Sequence, residues 1–409
     1  MEQPELIPHL FRTEYRKIVS VLCKRFGFEQ METAEDIASD TFLTAAQAWT
    51  YGSIPPNPVA WLYNVAKNKA INYLRHVSVF DKKIAPVLKQ NGEEINADDI
   101  DWSPQNINDS QLQMMFAICH PSIPVEAQIG LSLRILCGFG IEEIANAFLT
   151  NKETINKRLF RAKEKIREEM IRIELPNTTE IQDRLAAVLA TIYLLFNEGY
   201  YSVSQDATVR KELCYEAMRL CSMLVENEYT NKPEVNALLS LMCFHASRFD
   251  ARMNEQGELV LYDDQDTKLW DADLVSKGAY FLHYSSGGPE ISKYHLEAAI
   301  AYWNTKKADT KEKWENILQL YNQLLQIEYS PIAALNRTYA LSKANGKREA
   351  IVEAEKLQLT NNHFYFTLLG VLYADIDNKK SRQNFEKAFS LAKTDNDRCV
   401  IQKKLNENE

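Results

Sequence analysis

A chain of 409 residues, 45% hydrophobic and 25% charged, exceeds the size at which one core stays compact, so two or three domains are expected. A net charge of −9 argues against a protein that coats nucleic acid indiscriminately, but it leaves room for a locally basic surface. The seven cysteines form no CxxC pair, the first residues carry no secretory pattern and no apolar run is long enough for a membrane span, so a soluble, cytoplasmic protein with reduced thiols is the expectation.

Only 13 Gly and 13 Pro punctuate a helical periodicity that runs almost throughout, which predicts an all-α fold. Three stretches divide the chain. Residues 51–58, YGSIPPNP, read as a turn-rich loop. Residues 77–110 set Asp81, Glu93, Glu94, Asp98, Asp99, Asp101 and Asp109 against Lys82, Lys83 and Lys89, an acidic and weakly patterned linker. Residues 172–180, RIELPNTTE, close a second block. The expected domains are therefore 1–76, 111–171 and 181–409.

In the first block, AEDIASDTFLTAAQAW (34–49) is an amphipathic helix. Ile37, Phe42, Ala45 and Trp49 face the core, while Glu35, Asp36, Ser39, Asp40 and Gln47 face out. That outer face is either solvated or the dock for a protein partner. After the loop, VAWLYNVAKNKAINYLRH places Leu62, Val65, Ala66, Ala70 and Tyr73 on one side and Asn64, Asn68, Asn72 and Arg75 on another. Three asparagines in register cost helix propensity, yet their amides can read base edges. Trp61 and Tyr63 could stack on unpaired bases. The plainer alternative makes Trp61 a core residue.

The second block holds a helix-turn-helix pattern. Ile141 to Leu149 is short and amphipathic, and Asn151 is placed to cap the next helix. Ile155, Leu159, Ala162 and Ile166 form a buried stripe there, and Asn156, Lys157, Phe160, Arg161 and Glu164 form the opposite arc. Between Lys152 and Arg167 seven cations face only two carboxylates, Glu153 and Glu164. Amide, cations and a bare aromatic on one arc each have a use in a major groove. A solvated basic face on a bundle helix is the alternative.

The third block contains a repeat over 332–392. Leu335/Leu369, Tyr339/Tyr373, Ala340/Ala374, Ile351/Phe385, Ala354/Ala388 and Leu357/Leu391 are each 34 residues apart, the period of a tetratricopeptide helix pair. The units are degenerate, since Asn336 stands where the later copy has Gly370. His245, Arg248, Asn197, Glu198, Asp264 and Asp266 could form a metal or acid–base site. Buried polar staples, or a pocket for a peptide or small ligand, fit their wide separation better. No P-loop, GxGxxG, HExxH or nucleophile elbow occurs.

AEDIASDTFLTAAQAW, NPVAWLYNVAKNKAINYLRH and IEEIANAFLTNKETINKRLFRAKEKIRE, in that order, resemble regions 2 and 4 of extracytoplasmic-function sigma factors of the sigma-70 family. Two features depart from common members: Phe148-Leu149-Thr150 replaces a glycine-containing turn, and some 230 residues follow the second block. Both are similar to a subgroup with Cys119-His120-Pro121 and a long helical extension bearing LLFNEGYYS (194–202) and DDQDTKLWD (263–271).

The resemblance implies a non-enzymatic promoter-reading subunit without cofactor or metal, whose partners are core RNA polymerase, through its β′ clamp helices and β flap, and promoter DNA. Glu35, Asp36, Ser39 and Asp40 would dock on polymerase, and Asn64, Lys67, Asn68, Asn72 and Arg75 would capture the −10 element. Asn156, Lys157, Arg158, Phe160 and Arg161 would read the −35 element. The acidic linker would thread the polymerase's RNA path. The extension would regulate through Asn197, Glu198, Tyr200, Asp264, Gln265, Asp266 and Trp270. A helix-turn-helix regulator with a helical sensor domain, which never binds core polymerase, is the rival reading.

Overall fold

In the computed structural model of the protein the described residues are 3–51, 54–84, 100–148, 150–201, 207–252, 254, 260–392 and 394–407. They form eighteen α-helices and no strand, in agreement with the all-α expectation. They group into two compact units, Met1–Thr230 and Asn231–Glu409.

The first unit holds α1 (Gln3–Phe26), α2 (Met31–Tyr51), α3 (Pro58–Ile84), α4 (Pro104–Ile118), α5 (Val125–Leu131), α6 (Ile141–Ala147), α7 (Lys152–Glu168), α8 (Thr178–Tyr201) and α9 (Ala207–Glu226). Helix α1 is its axis, in contact with α2, α3 and α4. Tyr15, Ile18, Val19, Leu22 and Cys23 are buried along it, and Phe11 stacks on Tyr15 while meeting Phe42 of α2 edge-on. The expected core side of α2 is buried in full: Ile37, Phe42, Ala45 and Trp49.

The acidic linker is shorter than its composition suggests. Helix α3 continues to Ile84, and α4 begins at Pro104, where the Ser103 hydroxyl accepts from the Asn106 amide at 3.3 Å. Residues 85–99, with Glu93, Glu94, Asp98, Asp99 and Lys89, lie outside the described residues.

The expected domain boundary at 172–180 is not where the chain divides. Helices α8 and α9 pack on α4, and α8 also packs on α5. Thr191 of α8 donates to Gln128 of α5 at 3.1 Å, and Arg219 of α9 donates to Gln111 at 3.2 Å and to the Leu136 carbonyl at 3.0 Å. Arg16 of α1 pairs with Glu216 of α9 at 2.5 Å, both largely out of water. Burial, with Arg219 beside it, holds the Arg16 guanidinium below the usual arginine range. These contacts tie α8 and α9, at the start of the expected extension, into the two sequence blocks before it.

The second unit holds α10 (Pro233–Ala246), α11 (Ala272–Ser285), α12 (Lys293–Asn304), α13 (Lys311–Ile327), α14 (Pro331–Ala344), α15 (Lys347–Leu357), α16 (His363–Tyr373), α17 (Asn378–Leu391) and α18 (Asp395–Glu407). From α12 onward each helix packs on the next in chain order, the nearest-neighbour pattern of stacked helical hairpins. Burial in this unit is compatible with the 34-residue register at three of its six pairs. Leu335 and Leu369, Ile351 and Phe385, and Ala354 and Ala388 are buried in both hairpins, α14–α15 and α16–α17. The other three pairs are less fully buried: Tyr373 is buried but Tyr339 half-buried, Leu357 and Leu391 are both half-buried, and half-buried Ala374 caps the shorter α16 while buried Ala340 lies inside α14.

Close helix contact in this unit uses glycine. A Cβ at Gly370 would stand 2.7 Å from the Phe385 ring, and one at Gly278 would stand 2.6 Å from Phe244. In both places a serine on the facing helix donates to the glycine carbonyl, Ser381 to Gly370 at 2.8 Å and Ser240 to Gly278 at 2.7 Å. Six of the seven cysteines are buried and Cys399 is half-buried. Burial pushes the thiols of Cys119, Cys137 and Cys243 up to about 12.

Candidate nucleic-acid interface

Helix α7 starts where a side chain satisfies its first free amides: Asn151, in extended conformation, accepts from the Thr154 amide at 2.8 Å. The expected stripe of Ile155, Leu159, Ala162 and Ile166 is buried, and it meets α5 and α6. The expected outer face stands in water. Asn156, Lys157 and Arg161 are exposed, Arg158 is half-buried, and Phe160 shows 60% of its surface. An aromatic this bare on a folded helix leaves apolar area uncovered.

Lys157, Arg158, Arg161 and Lys165 line one side of an open cleft of about 600 Å³ between α7 and the start of α5, with Glu126 opposite. Arg158 also lies 5.8 Å over the Phe148 ring, so the turn that lacks a glycine contributes an aromatic support for a cation. The Thr150 amide closes α6 by donating to the Ala145 carbonyl at 2.9 Å. Leu149 lies outside the described residues.

Helix α3 begins beside Asn57, whose side chain accepts from the Ala60 amide at 3.0 Å. Leu62, Ala66 and Ala70 are buried, whereas Asn64, Asn68, Asn72 and Arg75 are exposed and Lys67 is half-buried. The asparagine face is therefore a continuous surface stripe with no core role. The two aromatics beside it are differently placed. Trp61 packs on buried Trp49 with ring centres 5.3 Å apart but is itself only half-buried, between the two alternatives. Tyr63 hydrogen-bonds to Glu14 and stacks on Trp102 at 5.1 Å, so its ring is spent inside the protein rather than offered to a base.

On α2, Asp36, Ser39 and Asp40 are exposed, with Asp40 3.6 Å from Lys69. Glu35 is different. Its carboxylate accepts from Lys163 at 2.8 Å and from Arg134 at 3.3 Å.

The two extension motifs fall in different units. Asn197 and Glu198 are half-buried on α8, and Tyr200 is buried and stacked on Phe196, whose carbonyl accepts from Cys214 of α9. In the second unit Asp264 is exposed, the Asp266 side chain accepts from the Lys268 amide, and Gln265 is buried and donates to the Val260 carbonyl at 3.2 Å. Trp270 lies 6.1 Å from Tyr262. Two residues that sequence reasoning passed over hold this loop. Lys307 donates to the carbonyls of Tyr262 at 2.6 Å and Asp263 at 2.9 Å, and buried Lys313 donates to the Tyr262 hydroxyl at 3.0 Å. Burial holds the Lys313 ammonium below the usual lysine range. Among the described residues no cluster of His, Cys, Asp and Glu has the arrangement of a metal site, and no helix is long and apolar enough to cross a membrane.

His120 of the Cys119-His120-Pro121 motif sits in a second cleft, of about 290 Å³, with Glu169, Arg172, Glu174 and Arg184. Its Nδ1 lies 2.8 Å from the Ser122 hydroxyl, and partial burial, with Arg184 beside it, lowers its affinity for a proton.

Residues 10–78, which run through α1, α2 and most of α3, match the family model for sigma-70 region 2. Residues 184–286 match a family of unknown function, DUF6596, and that match runs from α8 in the first unit to α11 in the second. An uncharacterized protein of Rhizobium meliloti (strain 1021) is 30% identical over 386 residues, covering 92% of this chain and 90% of its own length. No solved structure matches the chain.

Proposed function

We propose that this chain, whose residues 10–78 match sigma-70 region 2, is a sigma factor of the extracytoplasmic-function type, which binds core RNA polymerase, recognises a two-part promoter and helps to melt it without chemistry of its own. The observation that carries the reading is the sigma-70 region 2 match over 10–78, because those helices bear both the acidic face of α2 and the asparagine face of α3. Asp36, Ser39 and Asp40, with Glu35, are the polymerase-binding set. Asn64, Asn68 and Asn72, flanked by Lys67 and Arg75, are the −10 set, and their exposure in register supports the role.

Helix α7 would enter the −35 major groove with Asn156, Lys157, Arg158, Phe160 and Arg161. The buried stripe behind it and the uncovered Phe160 support that assignment. The second unit would be the control element, with its tetratricopeptide-like hairpins offering a surface for a peptide, a protein or a small ligand. Its DDQD loop is the better candidate for such a contact, because Phe196 and Tyr200 of the other motif are buried in the first unit.

The rival, a DNA-binding regulator that never meets polymerase, has no use for the α3 asparagine stripe. Gel filtration of the full chain with purified core polymerase separates the two. A sigma factor co-elutes at 1:1 and loses co-elution on Asp36→Lys together with Asp40→Lys. A chain that binds duplex DNA yet elutes apart from polymerase belongs to the rival.

A further inference from the structure

The acidic side of α2 is divided between water and the protein itself. Asp36, Ser39 and Asp40 face out. Glu35, one position away, is gripped by two cations distant in sequence, Lys163 of α7 at 2.8 Å and Arg134 at 3.3 Å, one on each carboxylate oxygen. Glu35 retains 13% of its side-chain exposure and Lys163 retains 15%. Arg167, four residues along α7, reaches Glu32, three residues before Glu35, at 3.6 Å. Acids spaced by three on one helix and cations spaced by four on another each share a face, so the two pairs form a ladder between α2 and α7.

Arg134 is delivered to the ladder by a backbone irregularity. Residues Ser132–Leu136 form one turn of π-helix, closed by the Cys137 amide donating to the Ser132 carbonyl at 3.0 Å. The Arg134 guanidinium also donates to the Phe139 carbonyl at 3.2 Å, which fixes its direction. Lys163 and Arg167 thereby turn the lower flank of the basic helix onto the acidic helix.

We propose that this ladder is an autoinhibitory contact: α7 occupies the part of α2 that core polymerase must take, so docking on polymerase and release of α7 are a single event. The proposal rests on the sigma-factor reading. An outside helix cannot reach Glu35 without displacing Lys163 and Arg134. Conversely, Lys163, 15% exposed, becomes available to a DNA backbone only when α2 lets it go, whereas Arg167 is shared between Glu32 of α2 and Glu164 of its own helix at 2.8 Å. If the closed form outweighs the open one about tenfold, the apparent affinity for polymerase is lowered about tenfold.

The test is the affinity of the labelled full chain for core polymerase, read by fluorescence anisotropy. Arg134→Gln with Lys163→Gln removes the internal claim on Glu35 and leaves α2 intact. The expected result is binding roughly tenfold tighter than wild type, a direction of change that loss of a merely structural pair does not produce. Equal or weaker binding by a variant that melts like wild type overturns the proposal. Where leaving Glu35 without a cation unfolds the chain, Arg167→Gln, at the exposed rung, serves instead. It should tighten binding by about twofold to threefold, and unchanged affinity there also overturns it. Absence of binding by wild type and every variant would remove the sigma-factor reading, and this proposal with it.

Discussion

Two single residues on α7 separate affinity from specificity. Arg161 is exposed and lines the basic cleft, so Arg161→Ala should cost about 1–3 kcal/mol of promoter binding. Lys157→Ala should weaken binding to all sequences alike and lower the salt slope by about one. Titrations at several salt concentrations, on promoter and unrelated duplexes, distinguish the two effects. Wild-type behaviour in both variants would mean that the groove assignment is wrong. The exposure of these two residues was legible because helical period, cap and charge all act within one turn or two. Tyr63 was misread for the opposite reason. Its partners Glu14 and Trp102 stand 49 and 39 positions away, and nothing local marks an aromatic that is already engaged. The ion pair of Arg16 with Glu216, residues 200 apart in sequence, escaped notice on the same ground.

Among elements, the glycine contacts of the second unit are the sharpest test of packing. Gly370→Ala places a methyl group against the ring of Phe385, a fully buried side chain on the neighbouring helix. The overpacking should destabilise the unit by about 1–3 kcal/mol. Gly370→Ala combined with Phe385→Leu, which clears the ring, should cost less than the sum of the two single changes. Additive losses, measured by denaturant unfolding, would show that the two residues do not touch. The 34-residue repeat disclosed this hairpin from sequence, because repeated core positions must be buried alike. It could not disclose the α10–α12 group, where α11 buries only Gly278 and Ser285 fully. The extent of the acidic linker was also misjudged, since acidic composition suggested a linker over residues that α3 and α4 in fact occupy.

For the whole molecule, the position of the unit boundary changes how the extension must be tested. Cutting after Ile173 would strip α8 and α9 from α4 and α5 and leave Arg16 without Glu216. Loss of one partner of a buried ion pair costs on the order of 3–5 kcal/mol, so such a fragment would report misfolding rather than regulation. Cutting after Thr230 keeps the first compact unit whole. The fragment 1–230 should melt cooperatively and bind core polymerase, while its promoter output should depart from that of the full chain. Equal output in the presence and absence of residues 231–409 would show that the second unit is not the control element. Sequence reading placed the break at 172–180 because Pro176 and a polar run interrupt helical periodicity there. An interruption in sequence marks the end of a helix, and only long-range contacts reveal the end of a unit.

A sigma factor programs core polymerase, and run-off transcription with purified core polymerase on a pool of genomic promoter fragments reads that activity. Discrete start sites should appear only when the chain is added. Asn68→Ala, on the exposed face of α3, should retain polymerase binding while losing most open-complex formation on duplex templates and regaining it on templates already melted at −10. Transcripts identical with and without the chain, from a preparation that binds the same DNA fragments, would contradict the sigma-factor reading.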